Sequence, residues 1–330
     1  MSAGSVLFIG GTGTISSACV TEALERGLEV TVLNRGESSK RPLPADVQIV
    51  RGDIRSPDSV RDAIGDREFD TVAEFVAFTP EHVATDLQLF EGHTGQYVFI
   101  SSASAYQTPP SRMPVTESTP LRNPFWQYSR DKIACEDLLV EAYRERGFPA
   151  TIVRPSHTYD HTSIPTSGGY TDIDRMLRGA PVIVHGDGTT QWTITHNTDF
   201  AVAFTGLLGR PEALGEAFHI TSDEAPTWDQ IYTWLAHAAG VEPNLVHVAS
   251  ESIAKVLPEI GPGLVGDKAR SMVFDNAKIK ALVPEYRAAV PFVRGAQQIV
   301  DWYLADASRQ VVNPELDAAF DRLAAHAAAF

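Results

Sequence analysis

Along the first half of the chain, short runs that are almost wholly apolar alternate with longer segments in which apolar residues recur every three or four positions. The runs at 6–9, 28–33, 47–50, 71–77, 97–100 and 151–153 predict strands. Their largely uninterrupted apolar character argues for a parallel sheet covered on both faces. The segments 16–26, 56–64, 81–90 and 125–146 predict helices. Gly27 follows the first as a stop, and Ser56-Pro57 opens the second as a cap with proline at the first helical position. Alternation of this kind predicts an α/β fold with a doubly wound parallel sheet.

After Pro155 the rhythm breaks. Residues 156–192 are rich in Gly, Thr and Pro and read as loops, with a short helix at 171–177 and a strand at 181–184. Helices are expected at 198–208 and at 227–239, where Thr227 and Gln230 have capping-box spacing. Residues 255–268 hold three Gly and two Pro and read as a mobile loop. Phe292, Val293, Ala296, Ile299, Val300 and Tyr303 recur at helical spacing as core residues, and 314–330 form an alanine-rich last helix. The expected organisation is a sheet domain over 1–155, completed by parts of 181–222, with an interleaved, smaller and mostly helical region over 156–330.

Composition narrows the function. The chain has 330 residues, 43% apolar and 21% charged, enough for a large core in a soluble protein. A net charge of −15 repels phosphate backbones, so no nucleic-acid partner is expected, although a local pocket for a small anion is compatible with it. The longest apolar runs fall short of a membrane span, and the first strand begins within a few residues, so a cytoplasmic protein is expected. Cys19 and Cys135 both fall in helical segments and read as buried, reduced thiols.

Candidate chemistry begins at Gly10-Gly11-Thr12-Gly13, a glycine turn between the first strand and helix. Such a turn lets backbone approach a phosphate and aims the helix N-terminus at it. The third position of the usual glycine pattern is Ser16. The strand at 97–100 ends in Ser101-Ser102-Ala103-Ser104-Ala105-Tyr106, at the sheet edge where α/β folds bind ligands. Tyr128 and Lys132, four apart, share a helix face. An ammonium there favours phenolate, so the tyrosine can exchange a proton with an alcohol or ketone while hydride moves to or from a nicotinamide.

In this ordered set the chain resembles the short-chain dehydrogenase/reductase superfamily, specifically its extended branch of NAD(P)-dependent sugar epimerases and dehydratases. The resemblance covers about the first 210 residues and implies a Rossmann-type sheet with a C-terminal substrate region. It casts Tyr128 as the catalytic acid/base, Lys132 as the group that lowers its pKa and binds the nicotinamide ribose, and Ser102 as the serine that steadies the substrate hydroxyl. Ser101 and Ser104 are the alternatives to Ser102. For the cofactor it implies Gly10, Gly13, Thr14 and Ile15 at the pyrophosphate, and Asn34 and Arg35 at the adenosine ribose. Asp53 and Ile54 would lie at adenine, Phe75 and Ala77 along the adenosine side, and Ser101 and Pro155 near the nicotinamide. Arg154-Pro155 with Tyr159 is similar to the branch's R-P-x-x-x-Y segment, and the block from Gly186 to Asp199 to its G-D-G-x-x-x-R-D-x-x-H-V-x-D segment. Ser104, Tyr106, His157 and Trp192 are the candidate substrate residues. A homodimer through the helix of Tyr128 is also implied.

The departures shape the substrate. Trp192 and Thr193 replace the arginine and aspartate of that last block, and Asp160-His161 replace a Gly-Pro. An indole suits stacking on a ring and does not neutralise a diphosphate. Trp192 is therefore either a pocket residue or a core residue, and a small non-nucleotide, sugar-like substrate is open. No acid lies at 103–105, which disfavours dehydration and leaves epimerisation or one-way redox. A non-catalytic, RNA-associated relative of the same fold is opposed by the Tyr128/Lys132 pair and by the charge. Arg35 with Ser38 and Ser39 suits a 2′-phosphate and favours NADP over NAD; Arg35 equally suits stacking on adenine. Lys40, Arg41, Glu136 and Asp137 read as solvated. His82, His157 and His161 read as hydrogen-bonding or surface histidines with 157 and 161 facing substrate, and no metal is expected.

Overall fold

The apolar runs fold as strands in the computed structural model, which describes residues 4–37 and 40–328. They are β1 (Ser5–Ile9), β2 (Glu29–Asn34), β3 (Gln48–Arg51), β4 (Thr71–Glu74), β5 (Tyr97–Ile100) and β6 (Ala150–Pro155). Beyond them lie β7 (His157–Tyr159), β8 (Val182–His185), β9 (Ile194–His196), β10 (Ala217–Ile220) and β11 (Leu245–Val248). The central sheet is parallel throughout, in the order β10-β6-β5-β4-β1-β2-β3. Strand order reverses between β1 and β4, which opens a crevice at their carboxyl ends. Of the stretch 181–222, β10 joins this sheet. β8 instead pairs with β11, and β7 with β9, in two small parallel sheets of their own.

Helices cover both faces. On one, α1 (Ser16–Glu25) and α6 (Asn197–Leu207) pack through Cys19, Val20, Phe200 and Phe204 against Phe8 and Val32. On the other, α2 (Pro57–Ile64), α3 (Pro80–Phe90) and α4 (Gln127–Arg146) bury Val60, Leu87, Cys135 and Leu139. Both cysteines are buried and free. Gly147, at φ +69°, ends α4 in the left-handed conformation that glycine adopts without a Cβ clash.

Most of the remaining helices build the second region: α5 (Tyr170–Leu177), α7 (Trp228–Ala238), α8 (Ser250–Val256), α9 (Gly261–Gly263), α11 (Phe292–Leu304) and α12 (Pro314–Ala327), whereas α10 (Ala277–Leu282) packs on α6 and β10 and puts Ile279 into the core of the central sheet. The core of the second region joins Ile173, Trp192, Trp228, Phe292 and Ile299, so the helical spacing near 292–303 marks packing except at Val293, which faces solvent at 51% exposure. The Thr227/Gln230 capping box forms.

The expected mobile loop is instead packed structure: α8, α9 and a π-helical turn, Leu264–Lys268, with Gly261, Leu264, Gly266 and Asp267 buried. Its glycines serve close approach. A Cβ on Gly266 would lie 2.9 Å from the Trp126 Cβ, and Asn123 Nδ2 donates to the Gly266 carbonyl at 2.7 Å.

Candidate active site

Two cavities lie along the carboxyl ends of the strands, and Phe78 walls both. The first, about 330 Å³, is lined by Gly10 and Thr12 of the glycine turn, Asn34 and Arg35 after β2, and Asp53 and Ile54 after β3. Gly10 has φ +113°, and a Cβ there would meet Val76 Cγ1 at 3.2 Å. Gly11 has φ +85°, and its Cβ would lie 2.7 Å from Val32 Cγ1. The turn is therefore a backbone cradle that side chains would fill. Ser16 is buried, and its Oγ accepts from Gly13 N at 2.9 Å, so serine ties the turn to the helix start. Asn34 Oδ1 is buried without a hydrogen-bond partner, an acceptor suited to a ribose hydroxyl. The open glycine cradle and this orphaned acceptor fit the adenosine and pyrophosphate portions of a dinucleotide.

Gly13 and Thr14 wall neither cavity. Thr14 is braced: its hydroxyl accepts from Arg41 at 3.1 Å and its carbonyl from Asn197 at 3.1 Å. Arg41 also pairs with Asp160 at 2.5 Å and donates to Thr162 and Ser163, and Lys40 donates to the Thr162 carbonyl at 2.9 Å. The expected solvated basic loop is thus a clamp, and Asp160, where a Gly-Pro was expected, is its counter-charge. Ser38 and Ser39 lie outside the described residues. Arg35 is exposed and pairs with Glu37 at 3.0 Å within the cavity.

The second cavity, about 390 Å³, gathers Ser101, Ser102, Ser104, Tyr128 and Lys132, with Ile15, Phe75, Pro155, His157 and Trp192. Ser102 lies just beyond β5, where its hydroxyl caps a short 3₁₀ turn by accepting from Ser104 N at 3.2 Å. The Ser102 and Ser104 hydroxyls are 2.8 Å apart, and Ser129 donates to Ser104 at 2.8 Å. Lys132 Nζ is 5.8 Å from the Tyr128 ring centre and donates to the carbonyls of Ala77 and Ile100 at 2.7 Å each. Burial lowers its pKa to about 8. Ala77 thus reaches the site through its carbonyl.

The expected lowering of the Tyr128 pKa by Lys132 does not occur. Burial raises the phenol above its ordinary value and a hydrogen bond with Ser102 opposes this, while the lysine's protons are engaged by backbone carbonyls.

Behind this wall runs a buried network. Tyr128, Lys132 and Glu136 follow at four-residue spacing on α4, and Glu136 is buried, not solvated. It pairs with Arg154 at 2.5 Å and accepts from Ser101 Oγ at 2.5 Å. Arg154 donates to Tyr106 Oη at 3.1 Å, and Tyr106 lies 3.1 Å from His219 Nδ1. Tyr106 is fully buried in this network and walls neither cavity, so it does not face substrate. His161 is exposed, edge-on to Trp302, and also lies outside the cavity. His157 lines it, and burial together with the Lys268 charge pushes its imidazole down to about 3. His82 Nδ1 accepts from Phe78 N at 3.1 Å, at the start of α3. Trp192 is both a pocket and a core residue: it lines the cavity and is 2% exposed. No cluster of three or more metal-ligating side chains occurs among the described residues.

Sequence reasoning missed Trp126, Asp267 and Lys268, which complete the far wall. Trp126 stood two residues before Tyr128 as a readable signal. Asp267 was hidden in the glycine-rich segment read as a loop.

Comparison with known proteins gives the family and the fold. The family described as NAD dependent epimerase/dehydratase matches residues 6–221. The 2′-dehydrokanamycin reductase of Streptomyces kanamyceticus is 28% identical over 286 residues, 86% of this chain and 80% of that protein. The chloroplast stem-loop binding protein of 41 kDa b of Arabidopsis thaliana is 26% identical over 256 residues, covering 73% and 65% of the two chains. In fold, the chain is similar to the UDP-glucose 4-epimerase of Thermus thermophilus, solved as a complex with NAD. That match has a TM-score of 0.72 and 24% identity, covering 91% of this chain and 99% of the other.

Proposed function

The chain belongs to the NAD dependent epimerase/dehydratase family, and from that premise we propose that it is an NADP-preferring reductase of a ketone on a sugar-sized ring that carries no nucleotide. The observation that carries this reading is the convergence of Ser102, Tyr128 and Lys132 on one cavity beside the dinucleotide groove. When bound, the nicotinamide supplies or accepts the hydride. Gly10, Asn34 and Asp53 would hold the adenosine end, and Lys132 the nicotinamide ribose. Ser102 holds the reacting oxygen, and Tyr128 passes its phenolic proton to it. Burial keeps Tyr128 protonated, which sets the unliganded site to give a proton, as ketone reduction needs.

Three observations support a substrate without a diphosphate. Lys132 and Lys268 are the cations of the wall among the described residues, the first engaged by carbonyls and the second 3.4 Å from Asp267. No guanidinium fork among the described residues faces the cavity. Its 390 Å³ also has to admit the nicotinamide, which suits a single ring. The relative named as a reductase over most of both chains fits this reading. An RNA-associated role is opposed by the charge of −15 and by the complete Ser102/Tyr128/Lys132 set.

Tyr128→Phe tests the proposal. NADPH-dependent reduction of cyclic ketones should fall by about 10²–10⁴-fold while NADPH still raises Tm as in the parent. Undiminished turnover would remove Tyr128 from the reaction. Cofactor retained through purification, with turnover needing none added, would identify an epimerase instead.

A further inference from the structure

Two residues that wall the catalytic cavity each carry a buried polar atom with no partner, one an acceptor and the other a donor. Asp267 and Trp192 both wall it, at 8% and 2% exposure. Asp267 Oδ1 is an acceptor with no donor, and Trp192 Nε1 a donor with no acceptor. Such atoms are costly in a folded interior unless something supplies the missing bond. Asp267 Oδ2 is already taken, 3.4 Å from Lys268 Nζ, which leaves Oδ1 free for a ligand.

The fold invests in placing Asp267. It lies in the π-helical turn Leu264–Lys268, a distortion frequent at functional sites. The turn is held against the start of α4 by the Asn123–Gly266 hydrogen bond and the close Gly266–Trp126 approach. Asn123 also donates to the Ser104 carbonyl at 2.9 Å and accepts from Trp126 N at 3.2 Å. One side chain thus ties the Asp267 turn to both elements that present Ser102 and Tyr128. The Asp267 charge reaches Tyr128, contributing to the rise in its phenol pKa.

We infer that Asp267 and Trp192 are specificity-determining residues that read a polar substituent beside the reacting carbon: Asp267 accepts from its hydroxyl or ammonium, and the Trp192 indole donates to a ring or hydroxyl oxygen. This rests on the alcohol/ketone reading above and adds the substrate class, a ring with a hydrogen-bond donor vicinal to the carbinol.

Calorimetric titration, with and without NADPH, separates this from the hydride-transfer reading because binding is scored without turnover. The probes are cyclohexanol, trans-1,2-cyclohexanediol and trans-2-aminocyclohexanol. The parent protein should bind the diol, the amino alcohol or both about tenfold more tightly than cyclohexanol. Asp267→Ala should erase that preference, Asp267→Asn should reduce it, and Trp192→Phe should weaken the diol, whose second hydroxyl oxygen accepts from the indole, while cyclohexanol binding stays unchanged. The NADPH-induced rise in Tm, kept in all three variants, confirms folding. Preference for the diol alone identifies a hydroxyl, and preference for the amine alone an ammonium; both support the assignment. No preference in the parent, or one that survives Asp267→Ala, overturns it. Loss of turnover in Tyr128→Phe with this preference intact leaves both readings standing, whereas unchanged turnover there removes Tyr128 as the proton donor and leaves the substituent assignment untouched.

Discussion

The two cavities along the sheet edge are assembled in different ways. Every wall residue of the adenosine cavity falls between Ile9 and Phe78, whereas the catalytic cavity draws its walls from Ile15 to Lys268. The first is a local product: four strand ends, of β1 to β4, place its residues as soon as the strands pair. The second exists after β6, the loop before α4 and the Leu264–Lys268 turn have met. Its chemistry therefore depends on long-range packing, and the Glu136 network is where that packing is most exposed to disruption.

Glu136→Gln should have the largest effect on the comparison. It leaves the Arg154 guanidinium buried without its carboxylate, a class of change that costs about 3–5 kcal/mol. The expected outcome is a large fall in the urea midpoint in a single transition, because Ser101 and Tyr106 lose their anchor together. Two separate transitions would mean that the sheet and the second region stand independently. A fall no larger than that of Asp58→Asn, which removes an exposed ion pair, would mean that the network holds little.

What was legible in the sequence follows the same division. Apolar runs and glycine turns are local signals, so the sheet, its helices and the adenosine residues Gly10, Asn34, Arg35, Asp53 and Ile54 could be read in order. Ser102, Tyr128 and Lys132 were legible because their spacing is set by one strand end and one helix face. Glu136 carried the same four-residue spacing, yet its charge suggested a solvated face; burial came from Arg154, eighteen residues away and on another element. Tyr106 pointed toward substrate by its position but turned inward, because Arg154 and His219 supply the partners its hydroxyl needs. Lys40 and Arg41 looked solvated until Asp160 and Thr162 came across to meet them. Asp267 stood in a segment whose glycines suggested mobility, when their use is close packing against Trp126. In each case the missing information was a partner far away in sequence.

Acid and base should act on the two regions in opposite senses, by at most about 1.4 kcal/mol for each pH unit that separates a group's folded and unfolded values. In the cofactor half, Glu74 at the end of β4 and Asp86 on α3 are buried carboxyls, and Tyr97 donates to Asp86 at 2.6 Å. Burial raises both, Asp86 to about 7. Their folded values exceed those of the unfolded chain, so their contribution is full below the ordinary carboxylate range and is lost as pH rises through their folded values, about 7 for Asp86. In the second region, burial pushes His185 down to about 4, and His157, at the catalytic cavity, lies lower still. Their contribution is full above the ordinary histidine value and is lost as pH falls from there through their folded values. Urea midpoints between pH 4 and 9 should therefore pass through a maximum. Asp86→Asn should flatten the alkaline limb and His185→Gln the acid limb. A variant that flattened the opposite limb, or neither, would show that these groups do not set the profile.

The smallest expected effect lies at the mouth of the adenosine cavity. Arg35 and Glu37 are paired at 3.0 Å with most of each side chain in water, so the pair contributes about 0–1 kcal/mol. For a cofactor carrying a 2′-phosphate the two side chains act against each other: Arg35 attracts it, and the Glu37 carboxylate repels it and occupies the guanidinium. Glu37→Gln should therefore raise the NADP-over-NAD affinity ratio by about three- to fivefold, and Arg35→Ala should lower it by a similar factor. Both changes should shrink in high salt, because solvent-exposed charges are screened over about a Debye length. The informative quantity is the ratio, since stacking of Arg35 on adenine would strengthen both cofactors equally. If Arg35→Ala weakens NADP and NAD by the same factor and Glu37→Gln moves neither, Arg35 is an adenine-stacking residue. Cofactor choice would then rest with Asn34, whose buried and unpartnered Oδ1 is an acceptor suited to a ribose hydroxyl and has nothing to offer a phosphate.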